Sequence, residues 1–151
     1  ILYRFYWSFL KKILNCMSKI IKCSDVQFTV YVEDTDFQGF VYHANYLKFF
    51  ERARSNFLAK NNISQKNLKN HGLAFVIKKI ELNYLLAAEL GDILTVKSSV
   101  EKKSNARMIF LQKVVGDDNK EFVNGMVEVC LINLVTKKPK KFPDDLLLIF
   151  N

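Results

Sequence analysis

Apolar residues recur at every second position from Val26 onward. Val26, Phe28, Val30 and Val32 fall on one side of an extended chain, and Gln27, Thr29, Tyr31 and Glu33 on the other. That alternation predicts a half-buried strand over 26–33. A turn at 36–39 interrupts it, and the period then changes. Tyr46, Phe49, Phe50, Ala53 and Phe57 recur at three- and four-residue spacing, which predicts a helix over 45–61 with one apolar stripe. Lys48, Glu51, Arg52, Ser55 and Asn56 lie elsewhere around it. The stripe reads as a core face, not a cofactor site. Asn61-Asn62 suits the helix end, and Asn70-His71-Gly72 marks a later turn. Four more strands are expected over 74–84, 93–101, 107–115 and 122–135. Gly91-Asp92 leads into the second of these, and Gly116-Asp117-Asp118-Asn119 is a hairpin turn before the last. Pro143-Asp144-Asp145 opens a short C-terminal helix, with proline and acidic residues where a helix start favours them.

The order strand, helix, four strands predicts an α+β domain. Short connections favour antiparallel pairing, and the striped helix must bury itself on the sheet. The expected architecture is one curved antiparallel sheet wrapped around one long central helix. The other sheet face carries enough apolar residues to take a second subunit.

Composition narrows the picture. A chain of 151 residues, half hydrophobic and one quarter charged, suits one soluble globular domain. The net charge of +8 comes mostly from lysine. At this level it suits nucleic acid, anionic lipid or a polyphosphate ligand alike. Its one cluster, Lys137, Lys138, Lys140 and Lys141, reads as a solvated turn. Cys16, Cys23 and Cys130 match no zinc spacing or disulfide framework, so reduced thiols in a cytoplasmic protein are the default. His43 and His71 have no partner at metal-ligand spacing, so no metal site is expected. Residues 1–23 are set apart as an N-terminal extension, with the domain over 24–151. The extension is rich in aromatics (Tyr3, Phe5, Tyr6, Trp7, Phe9), too short in its uncharged run to span a bilayer, and without a signal-peptide cleavage site. A leader or start-site artefact is the favoured reading, with the domain beginning near Met17. An interfacial helix is the other.

The candidate chemistry lies in Glu33-Asp34-Thr35-Asp36-Phe37-Gln38-Gly39-Phe40-Val41-Tyr42-His43-Ala44-Asn45-Tyr46. This segment puts a carboxylate, a tight glycine turn, a histidine and a helix N-terminus close together. A carboxylate can attack a carbonyl or activate water, and free helix-end amides can hold an oxyanion. That combination suits acyl transfer. Without further context, the favoured role of Asp36 is an ordinary one, shaping the turn by accepting backbone amides. Asp34, two residues earlier on an extended segment, shares a face with Asp36. A structural contact at the turn or helix end is its favoured role. No Gly-x-Ser-x-Gly segment exists, which argues against an α/β-hydrolase.

The run from Tyr31 through Thr35-Asp36-Phe37-Gln38-Gly39 and His43-Ala44-Asn45-Tyr46 to Glu51-Arg52-Ala53-Arg54 resembles the hotdog-fold thioesterases of the 4-hydroxybenzoyl-CoA thioesterase family. It is most similar to the Tol-Pal-associated branch. Weaker similarity continues through Ala74-Phe75-Val76-Ile77 and Tyr84 to Asp92. The resemblance implies Asp36 as the catalytic carboxylate and His43, seven positions on, as the second catalytic position. The His43 backbone amide would polarise a thioester carbonyl, helped by the helix dipole. The imidazole is a lesser candidate, for holding substrate or Asp36. Gly39, Tyr42 and Tyr46 are the candidate substrate-binding residues; the two tyrosines serve equally well as packing residues. Glu51 is a distant alternative catalyst, because another thioesterase class uses a helix glutamate. A salt bridge to an arginine or lysine is its favoured fate. His71 reads as a turn residue. Gln38, Phe40 and Leu86-Ala87-Ala88 depart from the family pattern and would reshape the pocket and its loop.

The resemblance further implies an acyl-CoA substrate, a homodimer or homotetramer, and an acyl-carrier protein as an alternative thiol carrier. No cofactor is expected beyond the coenzyme A of the substrate, and no nucleic-acid partner. Any membrane contact would be peripheral, at the inner membrane. The rival reading is a non-catalytic hotdog module that binds acyl thioesters, acyl-carrier protein or a membrane-associated partner. A basic membrane- or nucleic-acid-binding domain is a third.

Overall fold

The computed structural model describes residues 19–151. The helical stripe forms helix α1 (Asn45–Lys60), and Tyr46, Phe49, Phe50, Ala53 and Phe57 are all buried. Six strands make one sheet: β1 (Ile20–Lys22), β2 (Val26–Thr29), β3 (Leu73–Tyr84), β4 (Ile93–Ser104), β5 (Arg107–Val115) and β6 (Glu121–Asn133). All pairings are antiparallel. β1 and β2 share one edge, both pairing with β4; β5, β6 and β3 follow. Alternate residues of the central strands face α1: Leu94, Val96 and Val100, then Phe110 and Val114, then Val123 and Val127, all buried. Period-two patterning therefore sets the sheet face and period-3.6 patterning the helix face.

β3 lies beside β6 and not beside its sequence neighbour β4. Its backbone meets that strand closely at Gly125, where an added Cβ would strike the Glu81 carbonyl and the Leu82 side chain. The connection from β3 to β4 crosses the end of the sheet. It is fastened on the way, with the Leu85 and Leu86 amides donating to the Phe122 carbonyl at 2.8 and 3.1 Å.

Several expectations need correction. The first strand of the patterned region stops at Thr29, not residue 33, and Val32–Asp34 forms a 3-10 turn. The cause is Asp34, whose Oδ2 accepts the Tyr31 amide at 2.9 Å and folds the chain back. Val32 is consequently exposed, against the alternation. A short helix, α2 (Gln65–Asn70), follows α1; Ser64 caps it by accepting the Asn67 amide at 3.1 Å. Part of the segment assigned to the extension belongs to the sheet, since Ile20–Lys22 pairs with residues 99–101. The leader reading of the earlier residues, Cys16 included, lies outside the described residues. The chain ends in helix α3 (Asp144–Ile149). Among the described residues no helix is long and apolar enough to cross a membrane.

Candidate active site

The 36–39 turn closes a small hairpin that juts from the start of the domain. Thr35 and Val41 bridge, the Asp36 amide donates to the Phe40 carbonyl at 2.8 Å, and the Gly39 amide donates to the Asp36 carbonyl at 3.0 Å. Gly39 has φ of +81°, a left-handed conformation that a side chain disfavours. One carboxylate oxygen of Asp36, Oδ1, accepts the Gln38 amide at 2.9 Å. The turn-shaping role is thus real. It occupies one oxygen and fixes the carboxylate's direction, while Oδ2 has no hydrogen-bond partner among the described residues.

The hairpin is zipped to the β3–β4 connection. Phe40 bridges Glu89, the Val41 amide donates to the Ala88 carbonyl at 2.8 Å, and the Ala88 amide donates to Tyr46 Oη at 3.2 Å. Between the two runs lies a cleft of about 330 Å³ lined by Asp36, Phe40, Val41, His43, Tyr46 and residues 84–87. Asp36 and His43 therefore face one space. Tyr46 sits at its base, almost fully buried, and burial pushes its phenol above the ordinary range.

The start of α1 supplies the donors. The Asn45 amide is spent on the Tyr42 carbonyl at 2.7 Å, and the Leu47 amide on the Ala44 carbonyl at 3.2 Å. The His43 and Ala44 amides have no acceptor among the described residues. Ala44 is the N-cap of this 16-residue helix and His43 directly precedes it, so both amides lie at the end where the macrodipole favours negative charge.

Asp34 does not share the cleft. It is buried, and besides the Tyr31 amide it accepts Asn45 Nδ2 at 2.6 Å through Oδ1. It ties the hairpin to the first residue of α1, so no carboxylate pair forms with Asp36. Asp34→Ala leaves the buried Asn45 side-chain amide and the partly buried Tyr31 amide without their acceptor. We expect a loss of about 2–3 kcal/mol in urea unfolding, with hydrolysis falling in step with the disorder of the 36–43 segment.

Of the remaining candidates, Gly39 builds the turn without lining the cleft. Tyr42 is half exposed and packs on the His43 ring at 4.4 Å between centroids, outside the lining. His71 ends α2, with Nδ1 at 2.8 Å from the Asn67 carbonyl oxygen. Glu51 is exposed and accepts the Ser55 hydroxyl at 2.6 Å. The expected ion pair is not formed among the described residues. Glu51 lines a separate cleft of about 230 Å³ with Arg54. Arg54 Nη1 donates to Gln112 Oε1 at 2.9 Å, and Gln112 Nε2 reaches the Phe50 carbonyl and Ser98 Oγ. Burial pulls the Arg54 guanidinium below its usual range, and Glu51 opposes that pull. Cys23 is buried and its thiol is pushed up to about 11 by desolvation, so it is inert at neutral pH. Among the described residues no three His, Cys, Asp or Glu groups stand together as a metal site.

The wall formed by Tyr84, Leu85, Leu86 and Ala87 was not assigned to the site from sequence. Its only signal was the departure from the family pattern at Leu86-Ala87-Ala88.

The fold is that of a hotdog-fold thioesterase. The chain belongs to the Thioesterase-like superfamily, which it matches over residues 30–150. Among its relatives is the acyl-CoA thioesterase YbgC of Haemophilus influenzae, 38% identical over 123 residues, which are 81% of this chain and 90% of that protein. The acyl-CoA thioester hydrolase YbgC of Escherichia coli O6:H1 is 33% identical over 121 residues, 80% and 90% of the two chains. The crystal structure of a probable thioesterase from Bartonella henselae superimposes with a TM-score of 0.73 at 38% identity, covering 80% of this chain and 98% of that one.

Proposed function

We propose that the protein hydrolyses acyl-CoA thioesters at the Asp36 cleft. The observation that carries this reading is the shared space: a half-buried carboxylate with one free oxygen and His43, whose amide at the helix start is unspent, line one cleft. In the general-base route, Asp36 takes a proton from water and the oxygen adds to the thioester carbonyl. The oxyanion lies on the helix-start amides, collapse expels the thiolate, and the Asp36 proton returns to sulfur. In the nucleophilic route, the carboxylate itself adds, collapse breaks the C–S bond and expels the thiolate to leave an acyl anhydride, and water then hydrolyses the anhydride to the free acid, restoring the carboxylate and supplying the thiol proton. The close YbgC relatives are named for acyl-CoA, which favours coenzyme A over a carrier protein as the thiol. Release of free thiol from short, long and aromatic acyl-CoAs tests the reading. Turnover of at least one class is expected; no release from any would overturn it. A cytoplasmic location, with at most peripheral contact at the inner membrane, goes with this substrate.

The working unit on this reading is a dimer across β3. That strand is 12 residues long and pairs on one side only. Ile77 and Ile80 pair in register with Val129 and Val127 and so share the core face. Yet they are 46% and 39% exposed because α1 does not reach over this edge. A long, unpaired apolar edge is what a second copy covers. Ile80→Lys is expected to convert the dimer to a monomer in sedimentation velocity; an unchanged dimer would place the interface elsewhere.

A further inference from the structure

Tyr84 ends β3, far in sequence from α1, yet its hydroxyl donates to the His43 carbonyl at 3.0 Å. Its ring packs edge-on to His43 at 6.4 Å and to Tyr46 at 6.0 Å between centroids. We propose that Tyr84 is a positioning residue that sets the oxyanion donors of the helix start through the His43 carbonyl. This rests on the reading of the Asp36 cleft given above.

Two peptide planes flank His43, and each carries one unspent N–H. The plane bearing the His43 N–H is held through its carbonyl, that of Tyr42, by the Asn45 amide. The plane bearing the Ala44 N–H is held through the His43 carbonyl by Tyr84. Peptides are planar and no cis bond occurs among the described residues, so fixing each oxygen fixes the opposed N–H. In a regular helix the His43 carbonyl would be satisfied by the Leu47 amide, but that amide is spent on Ala44. Tyr84 takes its place.

The hydroxyl acts in one further way. His43 and Tyr84 both line the cleft. Donation to a carbonyl also polarises the peptide, which makes the Ala44 N–H a better donor. This effect grows as charge develops on the substrate oxygen, so it favours the transition state over the bound substrate.

Tyr84→Phe keeps the ring and removes the hydroxyl. The expected result is a fall in kcat of about tenfold with KM changed less than about twofold, while an unfolding curve stays close to wild type. The backbone ¹³C′ resonance of His43 and the ¹⁵N resonance of Ala44 are expected to move upfield together, as an acceptor loses its donor. Unchanged kcat with shifted resonances would overturn the positioning role while leaving the hydrogen bond in place. Unchanged resonances would overturn the contact itself, whatever the activity. An equal fall for every variant that lowers stability, matched by Tyr84→Leu at the same stability as Tyr84→Phe, would reduce Tyr84 to packing. Wild-type protein that hydrolyses no acyl-CoA would remove the cleft reading, and with it the positioning role, even if the resonances shift.

Discussion

Asp36→Asn leaves the protein folded and lowers acyl-CoA hydrolysis by about 10²–10⁴-fold, the range over which a positioned acid–base group acts. The substitution isolates chemistry from architecture. Asparagine retains an Oδ1 that accepts the Gln38 amide, the contact that shapes the turn, so the Asp36–Phe40 backbone hydrogen bond and the Gly39 conformation remain available. What is lost is the charge, and with it both nucleophile and base. Steady-state turnover alongside a thermal melt separates the two. Activity within tenfold of wild type would remove Asp36 from the mechanism. His43→Ala is the companion, because it keeps the backbone amide and deletes the ring. A loss of roughly tenfold or less is expected if the amide alone matters. A loss equal to that of Asp36→Asn would transfer the role to the imidazole.

Phe50→Ala carries the largest expected effect on stability. Phe50 is wholly buried on the stripe of α1. Its carbonyl also accepts Gln112 Nε2 at 3.1 Å, which ties the helix to the sheet beneath. Truncating a buried phenylalanine costs about 3–5 kcal/mol, a large share of the roughly 5–15 kcal/mol that holds an ordinary domain together. Urea unfolding monitored by circular dichroism reads it directly. A loss under about 1 kcal/mol would contradict the packing of α1 on the sheet.

The hotdog architecture was legible because its two periods are clean and its turns carry their own chemistry. The residues of the α1 stripe are all buried, as their spacing requires. The hairpin at 116–119 forms where Gly116 and Asn119 invite it, with Asn119 at φ of +59°. The early end of β2 was less legible. Alternation continues to Val32, but Asp34 captures the Tyr31 amide, and a local side-chain bond overrides the pattern. α2 was missed because a six-residue helix with one buried residue, Leu68, has no stripe to read. The partner of β3 could not be read from order along the chain, since β6 is far away in sequence.

The site divides in the same way. Asp36, Gly39 and His43 are local in sequence, and the cleft does hold Asp36 and His43 together. Tyr84 and the 85–87 wall come from the far end of β3, and no local pattern announces a tertiary contact of that kind. Tyr42 illustrates the converse, since proximity in sequence to His43 does not put its side chain in the cleft lining.

The most direct measurement is a crystal structure with a non-hydrolysable acyl-CoA ketone, in which a methylene replaces the thioester sulfur. The ketone oxygen is expected within about 3 Å of the His43 or Ala44 amide, with the Asp36 carboxylate facing the carbonyl carbon. A ketone seated instead beside Glu51 and Arg54, with the Asp36 cleft empty, would contradict it.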